Sequence, residues 1–255
     1  MRKSLSIVLA FVAAVSALPG AAQDRSLSFA LRSGLSAQPD FPGSDNVEVK
    51  PDVGFTFGAL SWGGRRFGPG IGIGAKTRLS WGSAFRVIGS RDASDAPELA
   101  GLADIDTAVE LGLGLTYRQR YWQAFGELRQ GFGGHDGVTG TIGADVIMHL
   151  SDRLTVSVGP RLNFGNANFA GTYFGVNAAE AVTSGIGRFD ADGGLLGAGV
   201  ALEGRYQLKG PWAVEGGLSY ERLQNSAADS PITAFGSEDQ LRVSIGLSRT
   251  FTLNF

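Results

Sequence analysis

The chain contains no cysteine in 255 residues, which excludes disulfides and thiolate metal sites. Histidine is nearly absent, with only His135 and His149. Charged residues make up 18%, so any polar face must be built mostly from Gly, Ser, Thr and Ala. No basic excess exists: the net charge is −2, and beyond residue 22 the balance is 20 Lys+Arg against 24 Asp+Glu. That is no footprint for nucleic acid. No apolar run reaches the ~20 residues of a transmembrane helix. A G-x-S-x-G nucleophile elbow is also missing.

The first residues have a separate reading. Met1-Arg2-Lys3 is a basic cap, the run from Leu5 to Val15 is apolar, and Gly20-Ala21-Ala22 precedes Gln23 as a cleavage site. Residues 1–22 are therefore expected to be a secretory signal peptide, too short in its apolar core to anchor the chain in a bilayer. Residues 23–255 are expected to form one domain.

What the chain does have is alternation. From Gln240 to Phe255, Leu241, Val243, Ile245, Leu247, Phe251, Leu253 and Phe255 share one parity, and Ser, Thr, Gly and Asn dominate the other. Period two means a strand with one apolar face, and about nine to eleven residues suffice to cross a membrane at a tilt. Ten such segments are present, at 26–36, 48–60, 66–79, 104–118, 121–130, 139–150, 153–164, 194–208, 212–222 and 240–255. Connections alternate between short turns near Gly63, Gln119, Ser151 and Lys209 and long loops at 37–47, 80–103, 131–138, 165–193 and 223–239. This predicts an all-β, antiparallel transmembrane barrel of about ten strands, with twelve as the alternative. Short turns and both termini would face the periplasm, long loops the outside, in the outer membrane of a Gram-negative bacterium.

Aromatics support two girdles. Trp62, Phe67, Tyr117, Tyr121, Trp122, Tyr206, Trp212, Phe251 and Phe255 fall at the expected periplasmic ends, and Trp81, Phe164 and Tyr220 at the outer ends. A soluble sandwich or lipocalin-like barrel also alternates, but its solvent face would be charged. Two residues disagree with the pattern. Phe125 opposes the parity of Trp122 and Leu128 in the weakest segment. Arg249 sits on the apolar parity, where it would either snorkel at the periplasmic interface or mark a bulge.

Few residues could carry chemistry. His135-Asp136 could supply a base and its orienter, but no nucleophile can be placed beside it. Gly70-x-Gly72-x-x-Ala75 sits mid-strand with no helix after it, so it is no dinucleotide turn. Asp190-x-Asp192-Gly193 is half a calcium loop without its glutamate, and reads as a solvated turn. No catalytic, cofactor or metal residues are expected. The inward parity collects Arg32, Asp104, Asp106, Glu110, Arg118, Asp145, Arg153, Arg161, Glu203, Arg205, Glu215, Glu221 and Arg242. These fit a paired polar core filling a narrow barrel, or else a selective pore lining. On the lipid face Leu113→Arg should destabilise, and Gly112→Ser, on the lumen face, should be mild.

The loop Pro39-Asp40-Phe41-Pro42-Gly43-Ser44-Asp45 resembles that of the MltA-interacting protein/OmpV family of outer-membrane proteins. Further stretches agree in order: Asp104-Ile105-Asp106 running into Val109-Glu110, His135-Asp136-Gly137, Tyr173-Phe174-Gly175-Val176 and Asp229-Ser230-Pro231-Ile232. Phe41 stands where tyrosine is usual, and the chain runs four residues past Phe251. The resemblance implies an outer-membrane barrel acting as a structural scaffold between a lytic murein transglycosylase and a murein synthase. Other members resemble small-solute pores or surface adhesins. It carries no catalytic residues and no cofactor. Prolines 39 and 42 and Gly43 should stiffen the first loop, and Asp229-Ser230-Pro231 the last, with the two loops adjacent where the terminal strands close the barrel.

Overall fold

A computed structural model describes residues 25–71, 78–93 and 99–255. The expected signal peptide lies outside the described residues. Among the described residues there are eleven antiparallel strands. They are β1 (Ser26–Pro39), β2 (Val47–Trp62), β3 (Arg65–Phe67), β4 (Arg78–Ile88), β5 (Ala108–Arg118), β6 (Trp122–Gly133), β7 (Val138–His149), β8 (Leu154–Gly165), β9 (Gly194–Gln207), β10 (Trp212–Leu223) and β11 (Asp239–Asn254). They form one sheet in the order β3-β2-β1-β11-β10-β9-β8-β7-β6-β5-β4. The terminal strands pair from Ser26↔Asn254 to Ala37↔Val243, so the sheet curls into a nearly closed barrel.

The expected segment 66–79 is divided between β3 and the start of β4, which accounts for eleven strands where ten periodic segments were read. The rest of β4 lies in the stretch assigned to a loop, 80–103. Ser83 hides it, a polar residue on the outward parity between Trp81 and Phe85. The Phe57 N–H donates to Ser83 Oγ at 3.1 Å. That bond joins β2 and β4 where, among the described residues, no backbone ladder does. Trp81 pairs with Leu115, one step from the Leu79↔Tyr117 pair. It therefore belongs to the short-turn girdle and not, as expected, to the outer one.

The faces follow the alternation. Leu113 is 67% exposed, and Leu35, Val53, Leu111, Ile142 and Ile245 are likewise open on the outside. Such an inverted surface suits lipid as the outer solvent. Phe125 points inward, with the Arg161 guanidinium 4.9 Å from its ring centroid, so it breaks parity to stack in the lumen. Arg249 faces out, in unbroken register between Leu31 and Trp212, so there is no bulge. Its guanidinium lies 5.1 Å from the Trp212 ring and 4.9 Å from that of Phe251.

β5 begins at Ala108, later than the pattern suggested. Ile105, 6% exposed, turns into the loops instead, and its backbone bridges to Arg91. Asp104 and Asp106 are therefore loop residues and not lumen groups. Arg153 is exposed at the β7–β8 turn. The long connections carry α1 (Ala167–Phe174), α2 (Ala178–Ser184) and α3 (Pro231–Ala234). All of them gather at one end of the barrel, and the short turns mark the other.

Candidate functional site: the capped end of the barrel

The long loops fold over the barrel mouth as a packed cap. Asn166 begins α1: its side chain accepts from the Phe169 N–H and from the Val138 N–H, both at 3.1 Å. One amide thus caps the helix and ties it to β7. Asn177 and Glu180 form a reciprocal capping box at α2, and Glu180 Oε1 also accepts from the Ala103 N–H at 3.0 Å. Ser230 caps α3, accepting from Ile232 N–H at 3.1 Å, while its own hydroxyl donates to the Phe174 carbonyl at 2.7 Å. Pro231 follows at the first helical position, where its missing N–H costs nothing.

Two apolar clusters close the mouth. One centres on Ile105, Phe169, Tyr173, Phe174 and Leu223. The other joins Phe41, Leu99, Leu102, Val176, Ile186 and Ile232. Phe41, 7% exposed, packs among aliphatic side chains, an environment with no need of a phenolic hydroxyl.

The first and last loops touch directly. The Ser237 N–H donates to the Gly43 carbonyl at 2.8 Å, and Gln240 Nε2 donates to the Ser44 carbonyl at 3.2 Å. Gly43 has φ +96°, a conformation that favours glycine, and a Cβ there would press on Thr233. Among the sequence-selected positions, Phe41, Gly43, Ser44 and Ser230 are buried, and Pro39, Pro42 and Pro231 are half-buried. Asp45 and Asp229 alone are exposed. These residues build the cap; they do not converge on a reactive centre.

Beneath the cap lies a buried ionic cluster. Glu110 is fully buried. Arg86 grips it with two bonds of 2.6 and 2.7 Å, Arg129 Nε donates at 3.1 Å and Thr139 Oγ1 at 3.0 Å. His135 Nε2 stands 3.3 Å from Glu110 Oε1. His135 Nδ1 accepts from the Gly137 N–H at 3.1 Å, which puts the imidazole proton on Nε2, facing Glu110. The ring meets Phe169 and Tyr173 edge-on, with centroids at 5.1 and 5.6 Å. Burial holds the His135 pKa below its ordinary value, against the upward pull of Glu110. Burial also pushes the Tyr173 phenol up to about 12. Asp136 is exposed, so the carboxylate that faces His135 is Glu110 and not its neighbour in sequence. A histidine sealed this way is no surface base.

The lumen below is filled with paired charges. Arg32 pairs with Asp52, Arg205 with Glu215 and Arg129 with Glu127. Arg161 donates to Asp145 at 2.6 Å and Arg242 to Asp52 at 2.8 Å. Adding the Glu110 cluster, Arg118, Glu203 and Glu221, the interior holds as many arginines as carboxylates among the described side chains. The pattern missed Asp52, Arg86, Glu127 and Arg129. Arg86 fell in an assigned loop, and Glu127 and Arg129 lie in the strand whose parity Phe125 obscured. Space is left within the lumen among the described residues. A chamber of about 260 Å³ lies under the cap between Arg86, Arg242, Glu221 and Phe174. Another of about 460 Å³ is lined by Arg32, Arg118, Glu203 and Arg205. Asp190 lies outside all of this, exposed and paired with Arg188 at 2.9 Å.

Every stretch that carried the family resemblance contributes to the cap or to the Glu110 cluster. Solved barrels show distant likeness. An outer membrane channel from Pseudomonas putida F1 aligns at 13% identity and TM-score 0.44, over 92% of this chain and 100% of that one. The outer membrane protease OmpT from Escherichia coli aligns at 10% identity and TM-score 0.36, over 92% and 99%. The Vibrio cholerae outer membrane protein OmpT aligns at 10% and 0.34, over 89% and 97%. At these values the likeness carries no functional argument. No curated protein matches the chain. The family model of MltA-interacting protein MipA matches residues 32–251, and the chain belongs to that family, as a β-barrel of the Gram-negative outer membrane.

Proposed function

We propose that the protein is a non-enzymatic scaffold of the cell envelope, holding a lytic murein transglycosylase and a murein synthase near the outer membrane. The supporting observation is a lumen capped by packed loops and filled with compensated charge, which leaves the ends of the barrel as its working surfaces. The family description names interaction with MltA, a property of the family that we extend to this chain. By the class rule the short turns face the periplasm. The turns at Gly63, Gln119, Ser151 and Lys209, with the tail from Thr252 to Phe255, are then the contact surface. Turns this short offer less than the ~1,200 Å² of a stable interface unless several combine, so the association is weak and aided by confinement in the envelope.

The test is co-purification from crosslinked envelopes. Both murein enzymes should accompany the tagged barrel, and should be lost when these turns are replaced by Gly-Ser sequences that preserve folding. Their absence from the crosslinked material would end the scaffold reading. A small-solute pore is the second reading, favoured by the lumen chambers. Planar-bilayer recording separates them: the scaffold gives no stable conductance steps, the pore gives reproducible ones.

A further inference from the structure

The two ends of the barrel differ in charge balance: exposed carboxylates outnumber Arg188 and Arg222 at the long-loop end, and exposed cations outnumber Asp152 at the short-turn end. On the long-loop end Asp45, Asp106, Asp136 and Asp229 are exposed. At the other end each of the four short turns presents a cation: Arg65, Arg120, Arg153 and Lys209. Arg25 precedes β1 and Arg249 lies on the outward face of β11, which completes the ring. All six are exposed, and among the described residues none of the six is held in an ion pair with a carboxylate. Among the described side chains the interior sets arginines against carboxylates, whereas these six cations have no carboxylate partner and are left for something outside the chain.

Their seating says what that is. The Arg25 guanidinium lies 4.1 Å from the Trp62 ring centroid and that of Arg120 5.2 Å from Tyr121. Arg249 rests between Trp212 and Phe251, at 5.1 and 4.9 Å. These rings belong to the aromatic girdle, and a girdle sits at the level of lipid headgroups. Cations laid on it are fixed at phosphate height, not extended toward the periplasm. A guanidinium also matches a phosphate with two parallel N–H bonds. We propose that this basic ring binds the phosphate headgroups of anionic phospholipid in the periplasmic leaflet, anchoring the barrel at a set depth and orientation. This goes beyond the scaffold reading and does not depend on it.

The experiment uses the full mature chain folded into phosphatidylcholine vesicles, with or without about one-fifth phosphatidylglycerol. The readout is the midpoint of heat-induced loss of the folded gel mobility. Phosphatidylglycerol should raise the wild-type midpoint, and high salt should erase the rise. The triple variant Arg25→Gln/Arg120→Gln/Arg249→Gln should lose at least about half of it. Because those changes also remove stacking, Arg25→Lys/Arg120→Lys/Arg249→Lys serves as a second variant and should keep most of the rise. An undiminished rise in the Gln variant, or none in wild type, overturns the proposal. So does an equal rise from inorganic phosphate or poly-glutamate added to phosphatidylcholine vesicles, which would make the ligand free phosphate or an acidic macromolecule.

Discussion

Gly112 of β5 lies against the backbone of Leu128 on β6. A Cβ at position 112 would overlap the Leu128 carbonyl oxygen and stand 2.7 Å from the Arg129 Cα. In a narrow barrel the sheet coils so tightly that a neighbouring strand leans over the inner face. This overturns the expectation that Gly112→Ser is mild. Strand backbone is not a flexible neighbour that can swing aside, and overpacking of this kind typically costs about 1–3 kcal/mol. Leu113→Arg, on the lipid face, should cost about 2–4 kcal/mol near mid-membrane. Both variants should lose the folded, heat-modifiable gel mobility at lower temperature than wild type. A Gly112→Ser protein as stable as wild type would refute the close approach.

The alternation that revealed most strands could not reveal this. Period two says which face a residue occupies, and Gly112 does lie on the lumen face. It says nothing of how closely the next strand approaches. The same limit explains β4, where Ser83 broke the apolar parity by serving the seam with β2. The cap was legible only in part. Pro39, Gly43 and Pro231 signalled stiff loops, but the burial of Glu110 needs Arg86, Arg129 and His135 brought together from three separate strand ends and turns. No local spacing encodes that meeting.

Ser230 should be the cap's most sensitive small residue. Ser230→Ala removes the α3 cap and leaves the Phe174 carbonyl without its donor, each a loss of about 1 kcal/mol. Barrel strands are untouched, so the gel mobility shift should persist while protease cleavage within 166–193 accelerates several-fold. Equal cleavage in wild type and variant would show that the cap does not depend on this clamp.

Acid should loosen the same cap. His135 is neutral, with Nδ1 accepting from Gly137 N–H. Protonation would set two donors face to face and add charge beside Arg86 and Arg129, with Glu110 already shared among them and Tyr173 and the exposed Asp136 nearby. Its folded pKa lies below the unfolded value of about 6.5. The stabilisation is therefore complete above about pH 6.5 and is lost as pH falls through the folded pKa. Proteolysis of the 166–193 segment should be faster at pH 5 than at pH 8 in wild type. In His135→Gln, whose amide does not titrate in that range, the ratio should flatten. An unchanged pH profile in the variant would assign the effect to other groups.

Orientation decides which partners each end can meet. The short-turn end carries the basic ring, the girdle and both ends of the described chain, Arg25 and Phe255, and the long-loop end carries the acidic cap. If the short turns face the periplasm, the ring meets phospholipid and any murein enzyme approaches beside it, while the cap looks outward. Gly187 suits an epitope insertion, being exposed in the loop after α2 with open space around it. Gly210, at φ +69° in the exposed β9–β10 turn, also has open space, and a flexible insert flanked by glycine can preserve its backbone. On intact cells, antibody should reach the tag at Gly187 and miss the one at Lys209-Gly210, and permeabilised cells should stain for both. The reverse labelling would invert the barrel. It would place the acidic cap in the periplasm, remove the basic ring from the phospholipid leaflet, and leave the cap, not the turns, as the surface available to a murein partner.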